Sequence, residues 1–203
     1  MQHPFPNDAG DAVIIHRPSR PTALPAWLDA GQVATVVPGG ELPAALNGVA
    51  LAPCCLPPPD VPGDFAEPPY ALPAGLRAAA GAVVIEDDGR IWLVSPTNGF
   101  GGYAATFPKG RVDAGCTLQH TALRETFEES GLAVRLEAFL LDTRRTQTFT
   151  RYYIARRIGG SPAAMGWETQ AVHLVPAARL EEIAVHQNDA VVIQAARRWM
   201  AST

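Results

Sequence analysis

Lysine is almost absent from this sequence. Its sixteen basic residues are fifteen arginines and one lysine, Lys109, and twenty acidic residues outnumber them. The net charge of -4 argues against a general nucleic-acid-binding protein, because a duplex-binding domain normally carries a clear basic excess. The one lysine stands in the stretch FPKGR, shortly before an acidic segment, so a local anion site remains compatible with this composition.

Cysteine is scarce, and long apolar runs are missing. The three cysteines, Cys54, Cys55 and Cys116, form no CxxC spacing, and two adjacent cysteines have poor geometry for a disulfide or a zinc site. We therefore expect reduced, structural thiols. No stretch approaches the roughly 18 apolar residues that a membrane span needs, and the first ten residues lack the basic and apolar regions of a signal peptide. These absences predict a cytoplasmic protein without membrane segments.

Proline divides the chain into three parts. Residues 53–73 contain eight prolines, which remove backbone donors and exclude regular helices and central strands. We interpret residues 53–75 as a linker or a wrapping arm. Residues 1–52 combine strand-like and helix-like segments, including a short helix predicted in ELPAALNG, and are expected to form a small α+β module or extension. Residues 76–203 form the main domain.

The main domain alternates strand and helix signals. Two apolar runs flank Asp88-Gly89 in GAVVIEDDGRIWLVSP, which predicts a β-hairpin. A helix is predicted from about Thr117, a suitable N-cap, to Ser130, with Gly131 at its end. Further strands are predicted in LAVRLEAFLLD, TQTFTRYYIARR and AVHLVP, before a closing helix in NDAVVIQAARRWM. Mixed elements of this kind indicate a layered α/β domain.

Three carboxylates share one side of the predicted helix. In RETFEESG, Glu125 faces Glu128 at i,i+3 and Glu129 at i,i+4, a spacing that is destabilising by itself. On a partly covered face each pair would repel by roughly 2–3 kcal/mol at an effective dielectric constant near 20. A divalent cation removes this conflict, and carboxylate oxygens suit Mg²⁺ or Mn²⁺. The alternative is a solvated acidic surface.

The residues around these acids resemble a known motif. GRVDAGCTLQHTALRETFEESGL is similar to the Nudix box, in which a glycine, an arginine and several glutamates recur at fixed positions. Seven residues fall in register: Gly110, Arg124, Glu125, Glu128, Glu129, Gly131 and Leu132. The resemblance implies a Nudix hydrolase domain over residues 76–203, folded as an α/β/α sandwich with a mixed β-sheet.

The resemblance also implies roles for individual residues. Glu128 and Glu129 are expected to bind Mg²⁺ or Mn²⁺, and Glu125 is expected to act as a further ligand or as the base that deprotonates water. Arg124 is expected to orient these carboxylates, and Gly110 is expected to offer its backbone carbonyl to the metal, a close approach that a side chain would block. Glu168 is the candidate base if Glu125 is only a ligand; the alternative, which the sequence favours, is an acidic surface residue.

One position departs from the motif. Cys116 stands where the first glutamate of the box is expected, and a thiol cannot replace its charge. The expected consequence is weaker metal binding or slower turnover. Two classes of function therefore stay open: a metal-dependent hydrolase, and a Nudix-fold module that binds nucleotide without hydrolysing it.

Basic and aromatic residues suggest the substrate. The stretch FPKG resembles that of family members acting on dinucleoside polyphosphates or diphosphoinositol polyphosphates, with Lys109 touching a phosphate. Strand alternation puts Arg151, Tyr153 and Arg157 on one face, which would either meet a polyanionic substrate or form a solvated arginine-rich strand. The prediction is hydrolysis of a diphosphate linkage in a nucleoside diphosphate or polyphosphate derivative. ADP-ribose, nucleotide sugars and capped RNA are alternatives, although net acidity disfavours long RNA.

The sequence allows three roles for the first 75 residues: they would cap the active site, build a homodimer, or only complete the fold.

Overall fold

The structure is a computed structural model that describes residues 1–53, 63–98 and 104–202. Cys54 and Cys55 lie outside these residues, as does the first part of the proline-rich segment. The helices and strands are, in chain order, α1 Pro25–Leu28, β1 Ala34–Val36, β2 Ala45–Leu46, β3 Val49–Ala50, β4 Arg77–Val84, β5 Arg90–Pro96, β6 Lys109–Arg111, α2 Leu118–Ser130, β7 Leu132–Arg144, β8 Thr148–Gly160, β9 Thr169–Pro176, α3 Leu180–Ile183 and α4 Gln187–Ser202.

Two larger sheets and a small hairpin contain these strands. The four-stranded sheet has the order β6-β4-β8-β7, and it is mixed because β4 runs parallel to β8 and antiparallel to β6. The three-stranded sheet has the order β1-β9-β5, and both of its pairings are antiparallel. The strands β2 and β3 pair only with each other.

The predicted hairpin at Asp88-Gly89 is only partly present. The turn forms, with Gly89 in the left-handed conformation that glycine favours, and the amide of Glu86 donates to the carbonyl of Arg90. Beyond the bridge between Ile85 and Ile91, however, the two strands separate into different sheets. The hairpin prediction is therefore wrong for the strands, because β4 pairs with β8 and β5 pairs with β9.

The acidic helix forms where the sequence predicts it. The side chain of Thr117 accepts a hydrogen bond from the amide of His120, which caps the start of α2. Gly131 ends the helix with a φ of 69°, and its amide donates to the carbonyl of Phe127. A side chain at Gly131 would also collide with the carbonyl of Ser161, so glycine is required both for conformation and for close packing.

The first 53 residues pack directly on the main domain. Strand β1 adds an edge to the sheet of β9 and β5. Trp27 of α1 is fully buried, and its ring centroid lies 5.9 Å from that of Trp92 in β5. The short helix predicted in ELPAALNG is wrong, because this segment forms strand β2 and the turn to β3, with Asn47 and Gly48 at positive φ.

Two apolar cores lie on opposite faces of the sheets. One contains Ala122 and Leu123 of α2 together with Trp27 and Trp92. The other contains Val192 and other apolar residues of α4. The predicted α/β class and the α/β/α sandwich with a mixed sheet are thus confirmed. Among the described residues, no helix is both long and apolar enough to cross a membrane.

Candidate active site

The second half of α2 carries the three predicted acids, and they differ in exposure. Glu125 is buried at 8% exposure, Glu129 is half-buried, and the side chain of Glu128 is 54% exposed. The spacing of the three residues places them along one side of the helix, one turn apart. Glu125 is therefore the most buried of the three acids, and Glu128 is the most exposed.

Strand β6 passes close against these carboxylates. The amide of Lys109 donates a 2.7 Å hydrogen bond to Oε2 of Glu129. A Cβ atom built on Gly110 would collide with the carboxyl group of Glu125, so only glycine permits this approach. The backbone of strand β6 is thus in contact with the acidic side of α2, as the sequence motif implies.

Burial changes the protonation of two of these acids. It raises the pKa of Glu125 to about 7, with the negative charges of Glu128 and Glu168 acting in the same direction and Arg124 opposing them. Burial also raises the pKa of Glu129 to about 8, although the Lys109 ammonium and its backbone amide oppose this shift. A cation bound at this site would favour the charged form of both groups.

Arg124 forms ion pairs with three carboxylates. Its guanidinium lies 2.8 Å from Glu125 Oε1, 2.8 Å from Glu128 Oε2 and 3.0 Å from Asp113 Oδ2. These contacts support the orienting role expected for Arg124. Asp113 was missed by the sequence analysis, although its position in the loop RVDAG, directly before α2, was a usable signal.

The departure at Cys116 lies beside this ion-pair network. Cys116 is a half-buried free thiol, the only one among the cysteines that the structure describes, and its sulfur is close enough to influence the pKa of Arg124 electrostatically. Asp113, three residues earlier, supplies a carboxylate to the same guanidinium. The loop therefore offers Arg124 a negative partner even though the motif glutamate is missing.

The carboxylates fit a divalent cation in chemistry, and each of them also has a protein partner. Within residues 1–53, 63–98 and 104–202, no three acidic, histidine or cysteine side chains form a cluster ready to hold a metal. Arg124 holds Glu125 and Glu128, while Glu129 accepts from the Lys109 amide. Two acids with raised pKa values and a cradle that a Cβ would fill nevertheless match the needs of an oxygen-ligated cation.

Lys109 reaches a buried group of charges behind the acids. Burial lowers its pKa, and the neighbouring Arg145 acts in the same direction, whereas Glu129 and Asp189 oppose the change. Arg145 lies 2.8 Å from Asp189 Oδ1 and donates a 2.6 Å hydrogen bond to the hydroxyl of Tyr152. Sequence reasoning did not connect Arg145 with Asp189, because 44 residues separate them.

Glu168 is brought to the same region by the loop before β9. Partial burial raises the pKa of Glu168, and the negative charges of Asp8 and Glu128 add to this effect. Glu168 in turn raises the pKa values of Glu125 and Glu129, which places its carboxylate within electrostatic reach of both.

Two predicted substrate-binding residues are engaged elsewhere. Arg151 is 2% exposed; its guanidinium lies 2.7 Å from Asp142 Oδ2 and 3.0 Å from Glu67 Oε2. The hydroxyl of Tyr153 donates a 2.8 Å hydrogen bond to the same Glu67 oxygen. Glu67 of the proline-rich arm therefore holds both side chains, and their contact with a substrate stays a prediction.

The third residue of that face, Arg157, is also buried. It donates a 2.6 Å hydrogen bond from Nε to Glu86 Oε1 and further hydrogen bonds to carbonyls of β2 and β3. The face thus exists as strand alternation predicted, but internal partners satisfy its charges. The alternative of a solvated strand is therefore wrong for Arg157, which is 6% exposed.

Comparison with known proteins gives the fold a family. The NUDIX domain model matches residues 75–202. An Ap4A hydrolase from C. elegans is 18% identical, with a TM-score of 0.53 over 63% of this chain and 100% of that one. The ORF135 protein of E. coli is 16% identical, with a TM-score of 0.50 over 63% of this chain and 92% of that one.

These identities are low, so the likeness to the two structures concerns the fold alone. A search of curated protein sequences found no match. The family model, by contrast, spans well over half of the chain, including strand β6, helix α2 and the loop that carries Glu168. Because it covers the acidic helix and the glycine that lies against it, the chain belongs to the Nudix family.

Proposed function

We propose that this Nudix pyrophosphohydrolase cleaves a diphosphate linkage in a nucleoside diphosphate or polyphosphate derivative, using Mg²⁺ or Mn²⁺. The observation that carries the proposal is the contact of strand β6 with two carboxylates of α2: Gly110 lies against Glu125, and the Lys109 amide donates to Glu129. Burial raises the pKa of both groups, and a cation would favour their charged forms. A cation and a phosphate together complete such a site.

The metal ligands in this proposal are Glu125, Glu128 and Glu129, with the carbonyl of Gly110. A divalent cation held there supplies neutralisation of phosphate charge and activation of water. Glu128 is the most exposed of the three acids, and it must exchange its ion pair with Arg124 for the metal. Arg124 keeps Asp113 as a partner during this exchange, so its charge stays beside the acids.

The proton-accepting group is assigned to Glu125, with Glu168 as the alternative. Glu125 lies one helical turn before Glu128 and Glu129 on the same side of α2, so its carboxylate faces a water held on the same cation. Glu168 also has a raised pKa and stands on a separate loop, outside the direct ion pairs of Arg124. Glu168→Gln separates the two assignments, because Glu168 is not among the proposed metal ligands. Loss of the acidic limb of the pH–rate profile in this variant would identify Glu168 as the base, whereas a retained limb would favour Glu125.

Lys109 is the proposed phosphate contact. It is the single lysine, it is half-buried, and it lies among Glu129, Arg145 and Asp189. A compact ammonium group of this kind binds phosphate oxygens as a point charge. Arg151 and Tyr153 have no part in the proposal, because Glu67 holds them.

Dinucleoside polyphosphates are the favoured substrates, and ADP-ribose or a nucleotide sugar is the alternative. The stretch FPKG supports the first class, and a C. elegans Ap4A hydrolase shares the fold. The discriminating experiment is a panel of dinucleoside polyphosphates, ADP-ribose, a nucleotide sugar and NADH, assayed with Mg²⁺ and with Mn²⁺ beside Glu128→Gln. We expect metal-dependent phosphate products from the wild-type protein and a large loss in the variant.

A Nudix-fold module that binds nucleotide without hydrolysing it is the second candidate, favoured by Cys116 in place of the motif glutamate. It predicts that nucleotide binds, by calorimetry, while no product forms from any substrate of the panel. Equal activity of Glu128→Gln and wild type would refute the metal site itself.

A further inference from the structure

The first fifteen residues form a closed loop on the surface of the domain. The amino group of Met1 donates a 3.0 Å hydrogen bond to the carbonyl of Ile15, and Gln2 pairs with Ile14. At the tip, the side-chain oxygen of Asn7 accepts hydrogen bonds from the amides of Ala9 and Asp11. This N-terminal loop therefore has a defined conformation in which Asp8 stands at the tip.

The N-terminal loop contacts the segment that carries Glu168. The indole Nε1 of Trp167 donates a 3.1 Å hydrogen bond to Oδ1 of Asp8. The ring of His3, only 2% exposed, contacts the carbonyl of Thr169 through Nε2 at 3.1 Å. Two contacts, one on each side of Glu168, thus join the N-terminal loop to this segment.

The opposite side of the same segment is bound to the active-site region. The amide of Gly166 donates a 2.8 Å hydrogen bond to the carbonyl of Glu128, and a Cβ atom at Gly166 would collide with that carbonyl. The amide of Thr97 donates a 2.7 Å hydrogen bond to the carbonyl of Glu168. The segment is therefore held between helix α2 on one side and the N-terminal loop on the other.

We propose that Asp8 is a positioning residue for the reaction: by accepting the hydrogen bond of Trp167, it fixes the segment that presents Glu168 to the acids of α2. This inference rests on the proposed function. It assigns a task to residues that lie outside the part of the chain that matches the family model. The N-terminal loop is then part of the active-site wall.

The charges of Asp8 and Glu168 oppose the approach of the N-terminal loop to this segment. Asp8 is negative and lies close enough to Glu168 to disfavour its ionised form. Electrostatics alone would separate the two acids, so the hydrogen bond to Trp167 and the burial of His3 must offset their repulsion. The same segment is hydrogen-bonded through Gly166 to the carbonyl of Glu128, a proposed metal ligand, and we therefore expect metal binding and the position of the N-terminal loop to be coupled.

The test compares Asp8→Ala with Asp8→Asn. Asparagine keeps an oxygen that accepts from Trp167 Nε1, whereas alanine removes it. Loss of one hydrogen bond corresponds to about a three- to tenfold change, so Asp8→Ala should lower kcat by that factor with a smaller effect on KM. Asp8→Asn should stay within about twofold of the wild type, and Trp167→Phe should match Asp8→Ala.

Asp11→Ala is the matched control. Asp11 is an exposed acid of the same loop, and its side chain contacts Asn7 rather than Trp167. It should leave kcat and metal affinity unchanged. The second readout is the affinity for Mn²⁺, measured by calorimetry without substrate. This affinity should weaken by about three- to tenfold in Asp8→Ala and should stay unchanged in Asp8→Asn and Asp11→Ala.

Three outcomes would overturn the inference. Asp8→Ala could behave as the wild type, Asp11→Ala could lose as much as Asp8→Ala, or Asp8→Asn could lose as much as Asp8→Ala, which would implicate charge rather than position. Failure of the proposed function looks different: the wild-type protein would then release no product from any substrate. The Mn²⁺ affinities would still decide the role of Asp8 in that case.

Discussion

The amide of Lys109 donates a 2.7 Å hydrogen bond to the carboxylate of Glu129. This contact ties strand β6 to helix α2 and sets the distance between the lone lysine and the acids. An ionised carboxylate has about four lone-pair sites, so Glu129 can accept this hydrogen bond and still bind a cation.

Gly110→Ala should disrupt the site without unfolding the protein. The added methyl group would collide with the carboxyl group of Glu125. Overpacking of this kind costs about 1–3 kcal/mol, so the affinity for Mn²⁺ should fall by roughly tenfold or more. Calorimetric titration checks this. Gly31→Ala is the control, because its Cβ would meet only the flexible side chain of Asp29; equal affinities in the two variants would contradict the close approach.

Glu129→Gln should change how stability depends on pH. The pKa of Glu129 is raised from 4.5 to about 8, so the folded protein retains a proton that the unfolded chain releases. Stability contributed by the protonated group is therefore lost as pH rises from about 5 to 8. In a chelator, the wild-type Tm should fall between about pH 6.5 and 8.5 more steeply than that of Glu129→Gln.

The choice of pH range and the addition of Mg²⁺ make this calorimetric measurement of Tm specific for Glu129. His173, whose buried ring has its pKa lowered to about 4, acts with the opposite sign, but only below its ordinary value of 6.5. The chosen pH range avoids it. Mg²⁺ should raise the wild-type Tm near the upper end of the range and have little effect on Glu129→Gln. Parallel curves for the two proteins would show that Glu129 is not the group responsible.

Asp113→Asn should affect catalysis more than stability. The side chain of Asp113 is 67% exposed, so its ion pair with Arg124 contributes less than about 1 kcal/mol to the free energy of unfolding. Loss of one anchor for Arg124 should lower kcat by up to about fivefold. Adding Cys116→Glu should restore part of this loss by returning a carboxylate near Arg124. Steady-state kinetics check both variants. If Cys116→Glu restores none of the lost kcat, a carboxylate at position 116 does not support Arg124.

Glu67→Ala should destabilise the fold without touching the reaction. It removes the acceptor of the Tyr153 hydroxyl and one partner of the buried Arg151, at a cost of about 1–3 kcal/mol. Asp64→Ala, an exposed acid of the same arm, is the control for chemical denaturation.

Tyr153→Phe tests the same assignment from the substrate side. This change removes only the hydroxyl that contacts Glu67, so KM for the best substrate of the panel should stay within about twofold of the wild type. A rise of tenfold or more in KM would return Tyr153 to the substrate site.

The sequence predicted helix α2 well because its signals are local. Thr117, Gly131 and the i,i+3 and i,i+4 spacing of the acids act within a few residues of one another, and helical geometry converts them directly into position. The register of the Nudix box is local for the same reason. The sequence alone therefore determined the acidic face of the helix, its caps and the glycine that precedes it.

Tertiary structure decided which distant groups meet. Strands β4 and β5 joined different sheets despite the turn at Gly89, and Arg151 paired with Glu67, 84 residues earlier. No local pattern encodes such pairings, because they depend on which surfaces the whole chain can bury. The carboxylates of α2 could be identified from the sequence, whereas the approach of Asp8 and Glu168 depends on long-range packing that only the folded chain supplies.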